Sequence, residues 1–333
     1  MILVITNKED VHPTPVINIL NKRNIPVFRL NTESLLTDYD FCWWSDCDKT
    51  SFFITNRKTG LRLDGEELTT VWDRRPERPS ELLIKGTDAI DKHNIEEAAG
   101  FLRFLRSNIA DKPSLGSIKF DGLACSKMEQ IRIAQIVGLN VPSTCFSNRQ
   151  KDIVAMAEQY DELVLKPIES NGIFAEDENH EYVFYTQKVL SETILNAPLE
   201  AFTQTVSFVQ NYIPKAFELR VTIVAGKVFT CKIESQHLAE DKGKVDWRQG
   251  SEKGLKYAPF FLPEDISQKC LRFLCLIKLN FGAFDFIVTP SGEYVFLECN
   301  PNGQWLWIEL ETGLKISEAI ADALETGDGL IAY

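Results

Sequence analysis

The feature that most constrains this chain is a strongly apolar segment, residues 281–302, that carries three oxygen-bearing side chains. Apolar and polar residues alternate in its first half, and Pro290-Ser291-Gly292 provides a turn before a second apolar run. This pattern predicts a β-hairpin. The oxygen-bearing side chains are Asp285, Glu298 and Asn300. A carboxylate in such surroundings is costly unless it is paired with a cation or bound to a metal.

The three side chains are suited to one common role. Glu298 and Asn300 are two residues apart, so on an extended strand they point to the same face. A turn of this length brings Asp285 beside them. Two carboxylates and a carboxamide are hard oxygen ligands, which suit Mg²⁺ with water and substrate phosphates in the rest of its shell. The alternative is a hairpin whose polar positions face solvent, which is favoured for Asp285 alone but not for the set.

Length and charge exclude several classes of protein. The chain has 333 residues, 44% of them hydrophobic and 25% charged, which predicts a globular protein of two or three domains. Its net charge of −12 argues against nucleic-acid or anionic-membrane binding, and no apolar run reaches the length of a membrane span. The eight cysteines form no C-x-x-C pair, which favours reduced thiols in a cytoplasmic protein.

The start of the chain predicts a small α/β layer. Residues 2–6 and 25–30 form apolar strands, and Thr14-Pro15 opens a helix between them. The loop after the first strand lacks G-x-G-x-x-G, so a dinucleotide fingerprint is absent, and His12 in this loop is predicted to lie on the surface. A loop at residues 111–120, with a proline and a glycine, marks a domain boundary.

Two later segments carry predictions about local structure. Residues 187–195 are predicted to form a helix. Residues 235–256 are polar, contain three glycines and are predicted to form a long mobile loop. A loop of this length is usually a lid or a binding element.

Several cations stand in apolar runs and therefore need an anionic partner. Lys166 ends an apolar strand that begins at Glu162, which buries its stem and leaves its ammonium at the strand end. Lys127 opens a helix, and Arg220 lies in the middle of an apolar strand. The loop at residues 169–172 has only one glycine, which makes it a weak phosphate cradle by itself.

Two adjacent arginines, Arg74 and Arg75, lie between Trp72-Asp73 and Pro76. Two interpretations of this pair have similar weight. One is a pair of surface ion pairs. The other is a site for a carboxylate or phosphate, for which the guanidinium fork is suited.

The order of these features resembles the ATP-grasp ligase superfamily from about residue 115 to the C-terminus. The N-terminal region with Trp72-Asp-Arg-Arg-Pro76 is similar to the microviridin-type peptide maturases, or graspetide synthetases, which cross-link side chains of a ribosomal precursor peptide. The resemblance implies an α/β (α+β) ATP-grasp fold in three parts. These are an N-terminal pre-ATP-grasp α/β domain at 1–114, a central subdomain at 115–205 and a C-terminal subdomain with the Mg²⁺ site at 206–333.

The resemblance also implies a role for each matched position. Lys166 and Arg220 are the catalytic residues, and Arg220 stabilises the phosphate that is transferred. Asn211 stands at a hinge position where a glutamate is common in the family. The implied contacts with ATP come from Lys127, Lys166, Gln210, Tyr212, Ile213 and Glu218. The implied Mg²⁺ ligands are Asp285, Glu298 and Asn300.

The implied reaction activates a carboxylate with ATP. An Asp or Glu side chain of the peptide becomes an acyl phosphate, which a Ser or Thr hydroxyl attacks to give an ω-ester, or a Lys amine to give an ω-amide. Fixed charge and positioning supply the catalysis, so none of the four histidines is needed. The side chains expected to receive the acidic core peptide are Lys232, Arg248, Arg74 and Arg75.

The expected partner is a precursor peptide with a helical leader and an acidic, Thr/Ser-rich core. The leader is expected to dock near residues 187–196 and on the 217–233 hairpin, and a homodimer is expected by resemblance. Two other functions stay open at this point. One is an ATP-grasp ligase that adds glutamate or a similar amino acid to a protein or small molecule. The other is a nucleotide-binding module without ligase activity.

Overall fold

The computed structural model describes residues 1–116, 126–168, 173–174, 181–182, 184–238, 241–250 and 254–332. The loop at 169–172, a candidate phosphate cradle, lies outside the described residues. The strands, in chain order, are β1 Ile2–Thr6, β2 Val27–Asn31, β3 Tyr39–Ser45, β4 Thr50–Asn56, β5 Arg62–Asp64, β6 Thr70–Asp73, β7 Ser114–Leu115, β8 Thr144–Ser147, β9 Glu162–Lys166, β10 Ile173–Phe174, β11 Glu181–Tyr182, β12 Gln187–Leu190, β13 Ser207–Asn211, β14 Phe217–Val224, β15 Lys227–Ile233, β16 Tyr257–Pro259, β17 Phe281–Val288 and β18 Tyr294–Asn300.

The helices alternate with these strands through most of the chain. In chain order they are α1 Pro13–Lys22, α2 Leu35–Asp38, α3 Asp88–Asn108, α4 Lys127–Ile136, α5 Gln150–Gln159, α6 Ser191–Leu195, α7 Glu200–Thr203, α8 Asp241–Val245, α9 Glu264–Leu276, α10 Leu306–Thr312 and α11 Ile316–Thr326. None of the helices in the described part of the chain is long and apolar enough to cross a membrane.

The N-terminal region contains a parallel four-stranded sheet in the order β2-β1-β6-β7. Strands β1 and β2 run parallel with α1 between them, so the predicted βαβ opening is confirmed. A separate antiparallel sheet, β3-β4-β5, packs with α3 on one apolar core. One face of the parallel sheet contributes to this core through Leu3 and Ile5. Its opposite face packs against α1 and the C-terminal helix α11, so the first and last parts of the chain share one core.

The central sheet has the order β12-β9-β13-β8 and is antiparallel throughout. The prediction of a helix over residues 187–195 is wrong in its first half, because Gln187–Leu190 pairs with β9 as an edge strand. Only Ser191–Leu195 is helical. Strand β13 belongs to this sheet, so the central sheet extends to Asn211, beyond the expected domain boundary at 205/206.

The C-terminal sheet is a five-stranded antiparallel sheet in the order β16-β15-β14-β17-β18. One face is a core shared with α4 and α9, to which β14 contributes Leu219, Val221 and Ile223. The alternate residues of β14, Glu218, Arg220 and Thr222, therefore point to the opposite face. Helix α4 belongs in sequence to the expected central part, but it packs on the C-terminal sheet.

The β17–β18 hairpin is confirmed, and it contains a β-bulge that the sequence pattern does not reveal. Asp285 pairs with Glu298 and Phe286 pairs with Phe296, so Leu297 is the extra residue. Phe296 and Cys299 both lie in the core although they are three residues apart. The bulge thus shifts the alternation by one residue and turns Glu298 away from the core, since strict alternation from Phe296 would turn it inward.

Candidate active site

Three charged side chains lie side by side across the middle of the C-terminal sheet. Arg220 on β14 pairs in register with Asp285 on β17, and Asp285 pairs with Glu298 on β18. The Arg220 Nε atom lies 3.1 Å from Asp285 Oδ1. Directly opposite residues on neighbouring strands share a face, so the register alone places a cation and two carboxylates in one row.

The third predicted metal ligand, Asn300, lies at the end of the same strand as Glu298. It is exposed, and its Oδ1 accepts a hydrogen bond from the Asn302 backbone N–H over 3.0 Å. Among the described residues no group of three or more His, Cys, Asp or Glu side chains has the geometry of a metal site. The predicted donor set therefore stays a prediction, in which Asp285 and Glu298 are neighbours in register and Asn300 lies at the end of the same strand as Glu298.

The two lysines of the predicted phosphate site converge on one place. Lys127 is the first residue of α4, which Ser126 caps by accepting a hydrogen bond from the Glu129 N–H. The Lys127 Nζ lies 3.5 Å from Glu298 Oε2. Lys166 ends β9, and its Nζ donates to Gln210 Oε1 over 3.1 Å.

Both lysine ammonium groups stand near the same aromatic ring. Their Nζ atoms are 5.9 Å (Lys127) and 5.7 Å (Lys166) from the centroid of Phe208. The two lysines come from helix α4 and strand β9 and contribute to one cationic wall. Such a wall favours an anionic ligand, because two ammonium groups at one place repel each other and the single carboxylate of Glu298 does not neutralise both.

The predicted hinge follows β13. Gln210 is buried and its amide donates to Thr144 Oγ1 over 2.9 Å, while it accepts from Lys166. The Tyr212 backbone N–H donates to the carbonyl of Glu162 over 2.9 Å. A backbone contact from Tyr212 to a base would therefore use its carbonyl, next to the Ile213 N–H.

Glu218 has a partner that sequence reasoning missed. The Lys215 Nζ lies 2.5 Å from Glu218 Oε1 and also donates to the Val245 carbonyl over 2.8 Å. Both side chains are buried, and Glu218 Oε2 has no hydrogen-bond partner among the described residues. The signal that could have revealed Lys215 is its position in an apolar segment, three residues before a carboxylate.

Within the predicted long mobile loop at 235–256, residues 241–250 form short helical turns. They comprise α8 and the 3₁₀ turn Trp247–Gly250. Asp246 is buried and accepts from Arg248, with Nη2 to Oδ2 at 2.6 Å. The ring of Trp247 lies 5.8 Å from the guanidinium carbon of Arg220. The segment therefore packs on the row of charged residues.

Two clefts flank this row, and Trp247 and Arg248 line both of them. The first cleft lies between the central and C-terminal sheets, and it contains most of the predicted ATP and metal residues. These are Lys166, Gln210, Tyr212, Ile213, Glu218, Asp285 and Glu298, together with Lys215. The second cleft has a volume of about 530 Å³ and contains Arg75, Arg220, Asn300, Asn302 and Glu311 beside the aromatic side chains of Tyr257 and Trp307.

The four candidate peptide-binding cations occupy different environments. Arg75 is exposed and lines the second cleft with Arg248. Arg74 is only 1% exposed, with its Nε 3.3 Å from Asp10 Oδ2 and its Nη1 bonded to the carbonyls of Asn302 and Gly303.

Lys232 pairs locally on β15. Its Nζ donates to Glu234 Oε1 over 2.8 Å and stands 4.6 Å from the centroid of the Phe217 ring. The geometry therefore brings Arg75 and Arg248 together at one cleft, while Arg74 and Lys232 have other contacts.

Burial and neighbouring charges shift the pKa values of the carboxylates in the row. Burial raises the pKa of Asp285 to about 6, with Arg220 opposing the shift and the charge of Glu298 adding to it. Burial also acts to raise the pKa of Glu298, but Lys127, Lys166 and the nearby arginines outweigh it and hold this pKa below its usual value. Burial lowers the pKa of Lys166, against the attraction of Glu298. Two adjacent carboxylates are costly as a pair of anions, and a divalent cation between them removes that cost.

The arrangement fits a nucleoside triphosphate with Mg²⁺. The lysine wall suits phosphate oxygens, and hard oxygen donors lie beside it, as Mg²⁺ requires when it bridges carboxylates and phosphates. The unpartnered oxygen of Glu218 is suited to a hydroxyl donor, such as those of a ribose. The chemistry of these donors, and not a bound group, is the basis of this fit.

Several solved structures have the same fold over all or nearly all of this chain's length. A RiPP-associated ATP-grasp ligase from Chryseobacterium gregarium, in complex with ADP and a leader and core peptide, has a TM-score of 0.89 and 26% identity, and the match covers 100% of this chain and 99% of that one. The macrocyclase MdnC from Microcystis aeruginosa MRC, bound with precursor peptide MdnA, has a TM-score of 0.84 and 29% identity, covering 98% and 99%.

The macrocyclase MdnB from the same organism has a TM-score of 0.76 and 27% identity, again covering 98% and 99%. Neither the protein-family models nor the curated proteins give a match. The ATP-grasp fold predicted from the sequence is confirmed, and so is the resemblance to peptide-modifying ligases of this fold.

Proposed function

We propose that this chain is an ATP-dependent, ADP-forming ligase that joins side chains of a ribosomal precursor peptide. The observation that carries the proposal is the row Arg220–Asp285–Glu298, which stands between a cleft suited to Mg²⁺ and nucleotide and a second cleft lined with arginines. Ligases of the same fold over the whole chain support it, one of them solved with ADP and a leader and core peptide.

The proposed reaction has two steps, phosphorylation of a carboxylate and attack on the acyl phosphate. A carboxylate oxygen of the peptide attacks the γ-phosphorus of ATP, and ADP leaves. A hydroxyl oxygen or amine nitrogen then attacks the acyl carbon, inorganic phosphate leaves, and the nucleophile loses its proton. Arg75 and Arg248 would hold the incoming carboxylate, since guanidinium groups bind carboxylates through paired hydrogen bonds.

Fixed charges in the row lower the barrier to phosphoryl transfer. Asp285, Glu298 and Asn300 would hold Mg²⁺, which would supply positive charge to the phosphates. Arg220 would stabilise the transferred phosphoryl group, and Lys127 and Lys166 would hold the phosphates in place. The packed segment at 241–250, with Trp247 beside Arg220, would exclude water from the acyl phosphate.

The leader peptide has a candidate docking area on the central sheet. Edge strand β12 and helix α6 carry Leu190 and Leu195, and both side chains are exposed. An exposed sheet edge beside apolar side chains is suited to a peptide that adds backbone hydrogen bonds and apolar contacts. A homodimer and a cytoplasmic location stay predictions, which light scattering and cell fractionation would check.

The decisive experiment incubates the protein with ATP, Mg²⁺ and the product of a short neighbouring reading frame rich in Thr, Ser, Asp and Glu. The proposal expects the peptide to lose the mass of one water for each bond, with one ADP formed per bond. A gain of mass would identify an amino-acid ligase instead. Unchanged ATP turnover after Asp285→Asn with Glu298→Gln would contradict the proposed metal site and return the nucleotide-binding module to consideration.

A further inference from the structure

The end of strand β18 needs support from outside the sheet. β18 is an edge strand: β17 pairs with one side of it, and on the other side a bridge to Asn140 holds it near its start, at Val295 and Phe296. It carries Glu298 and ends at Asn300, beyond which the chain turns at residues 301–304. Sheet pairing alone does not fix the position of an edge strand at its end, whereas metal ligands must be held within a few tenths of an ångström.

A glutamine of helix α4 fills the free side of this edge strand. The buried side-chain amide of Gln130 donates to the carbonyl of Cys299 over 2.7 Å and accepts from the Cys299 N–H over 2.8 Å. It therefore replaces a neighbouring strand at the one residue that separates Glu298 from Asn300. Gln130 is also one helical turn from Lys127, so the same contact ties the lysine to the carboxylates.

A buried arginine holds the turn that follows. Arg74 Nη1 donates to the carbonyls of Asn302, over 2.8 Å, and Gly303, over 3.1 Å. With its nitrogen towards Arg74, the Asn302 side-chain amide donates back to the Arg74 carbonyl over 2.6 Å. A Cβ at Gly303 would overlap Ala283, so the turn also lies directly on β17.

The turn at residues 301–304 also orients the predicted metal ligand Asn300, because the Asn302 N–H donates to Asn300 Oδ1. We infer that Gln130 and Arg74 are positioning residues that hold Glu298 and Asn300 in place for Mg²⁺, from the strand side and from the turn side respectively. The inference rests on the metal site of the proposed function. It also gives Arg74 a different role from its neighbour Arg75, which is exposed in the second cleft.

The test measures metal binding without peptide. Mn²⁺ is titrated into protein saturated with a non-hydrolysable ATP analogue, and the dissociation constant is obtained by calorimetry and by electron paramagnetic resonance. Gln130→Met and Arg74→Met are each expected to weaken Mn²⁺ binding about 10-fold, the usual effect of removing a group that orients metal ligands. The matched controls, Gln135→Met on the exposed face of α4 and Arg103→Met at an exposed position on α3, are expected to leave it unchanged.

A second measurement separates positioning from general loss of structure. In an Asn300→Ala background the further effect of Arg74→Met on Mn²⁺ affinity is expected to disappear, because the ligand that it positions is gone. Gln130→Glu, which keeps the acceptor and loses the donor, is expected to fall between wild type and Gln130→Met. Thermal unfolding confirms that each variant is folded before titration.

Several outcomes would overturn the inference. They are unchanged Mn²⁺ affinity in both folded variants, full additivity of Arg74→Met with Asn300→Ala, or equal weakening in the Gln135 and Arg103 controls. The titration uses no peptide, so it also separates the two proposals. Wild-type protein that binds Mn²⁺ and nucleotide but never dehydrates a peptide would refute the proposed function alone, and the comparison of variants would still decide the positioning role.

Discussion

The two clefts that flank the charged row and share Trp247 and Arg248 are built in different ways. In the first cleft buried charged side chains have fixed partners, as Lys166 has Gln210 and Lys215 has Glu218. In the second cleft Arg75 stands at an exposed position after β6. The first cleft is thus preorganised for a ligand of constant shape, and the second is open to a flexible one.

This difference predicts which properties a mutation in each cleft should change. A change in the first cleft disturbs a buried partner as well as the ligand, so stability and activity should fall together. A change in the second cleft removes only a contact with the peptide. The following predictions test that division, from the largest expected effect to the smallest.

Arg220 lines the second cleft and pairs with Asp285, which lines the first, so its replacement should have the largest effect. Arg220→Met is expected to lower the turnover number about 1000-fold or more, the usual effect of removing an arginine that stabilises phosphoryl transfer. The measurement is ADP release and peptide mass under saturating substrates. Arg272→Met, at an exposed position on α9, is the control. A change confined to the KM for peptide would assign Arg220 to the second cleft alone.

Lys215 tests the buried partnership beneath the first cleft. Lys215→Met leaves Glu218 as an unpaired buried carboxylate and is expected to lower the free energy of unfolding by about 3 kcal/mol. Urea unfolding at neutral pH measures this loss. Adding Glu218→Gln to the same chain should restore most of the stability, and a double variant as unstable as the single one would contradict the pairing.

The buried residue His12 gives a prediction about the pH dependence of stability. The prediction that it lies on the surface is wrong, because it is buried against Trp305, with ring centroids 5.0 Å apart. Burial, together with the positive charge of Arg74, lowers the pKa of His12 to about 4 against the opposing effect of Asp10.

In the unfolded chain the pKa of this histidine is about 6.5, so between these values only the unfolded chain takes up the proton. Stability is therefore complete above about pH 6.5 and is lost as the pH falls towards 4, by about 2 kcal/mol at pH ~5. Unfolding of His12→Gln should show less of this pH dependence, and the exposed His93→Gln should keep all of it.

Arg75 should show the smallest effect and the most selective one. Arg75→Gln is expected to raise the KM for the peptide about 10-fold, equivalent to one charge-assisted hydrogen bond, with no change in nucleotide affinity or stability. Steady-state kinetics measures the KM for the peptide, and nucleotide titration measures the affinity for nucleotide. A weaker affinity for nucleotide would show that the clefts are not separate in this way.

Local pattern predicted the elements that carry most of the site. The hairpins β14–β15 and β17–β18 and the strand β9 follow from alternation and turn residues, and the order of Lys127, Lys166 and Arg220 identifies the fold. These features are encoded by neighbours in sequence, so they can be read without knowing what packs against them.

Other features depend on partners far away in the chain. Gln187–Leu190 is a strand because β9 offers it an edge, although its own sequence is compatible with a helix. Lys215 and Gln130 acquire their importance from Glu218 and Cys299, which no local pattern relates to them. Short segments with ambiguous propensity take the conformation that tertiary packing rewards.

The sequence by itself determined the strands that carry Lys166, Arg220 and the two carboxylates, because alternation of apolar and polar residues is a property of a single strand. Only the tertiary structure decided that Arg74 is buried while Arg75 faces a cleft, and that a bulge at Leu297 turns Glu298 towards the lysines. Burial and register are set by contacts between distant segments. Two adjacent arginines with the same chemistry therefore have different surroundings.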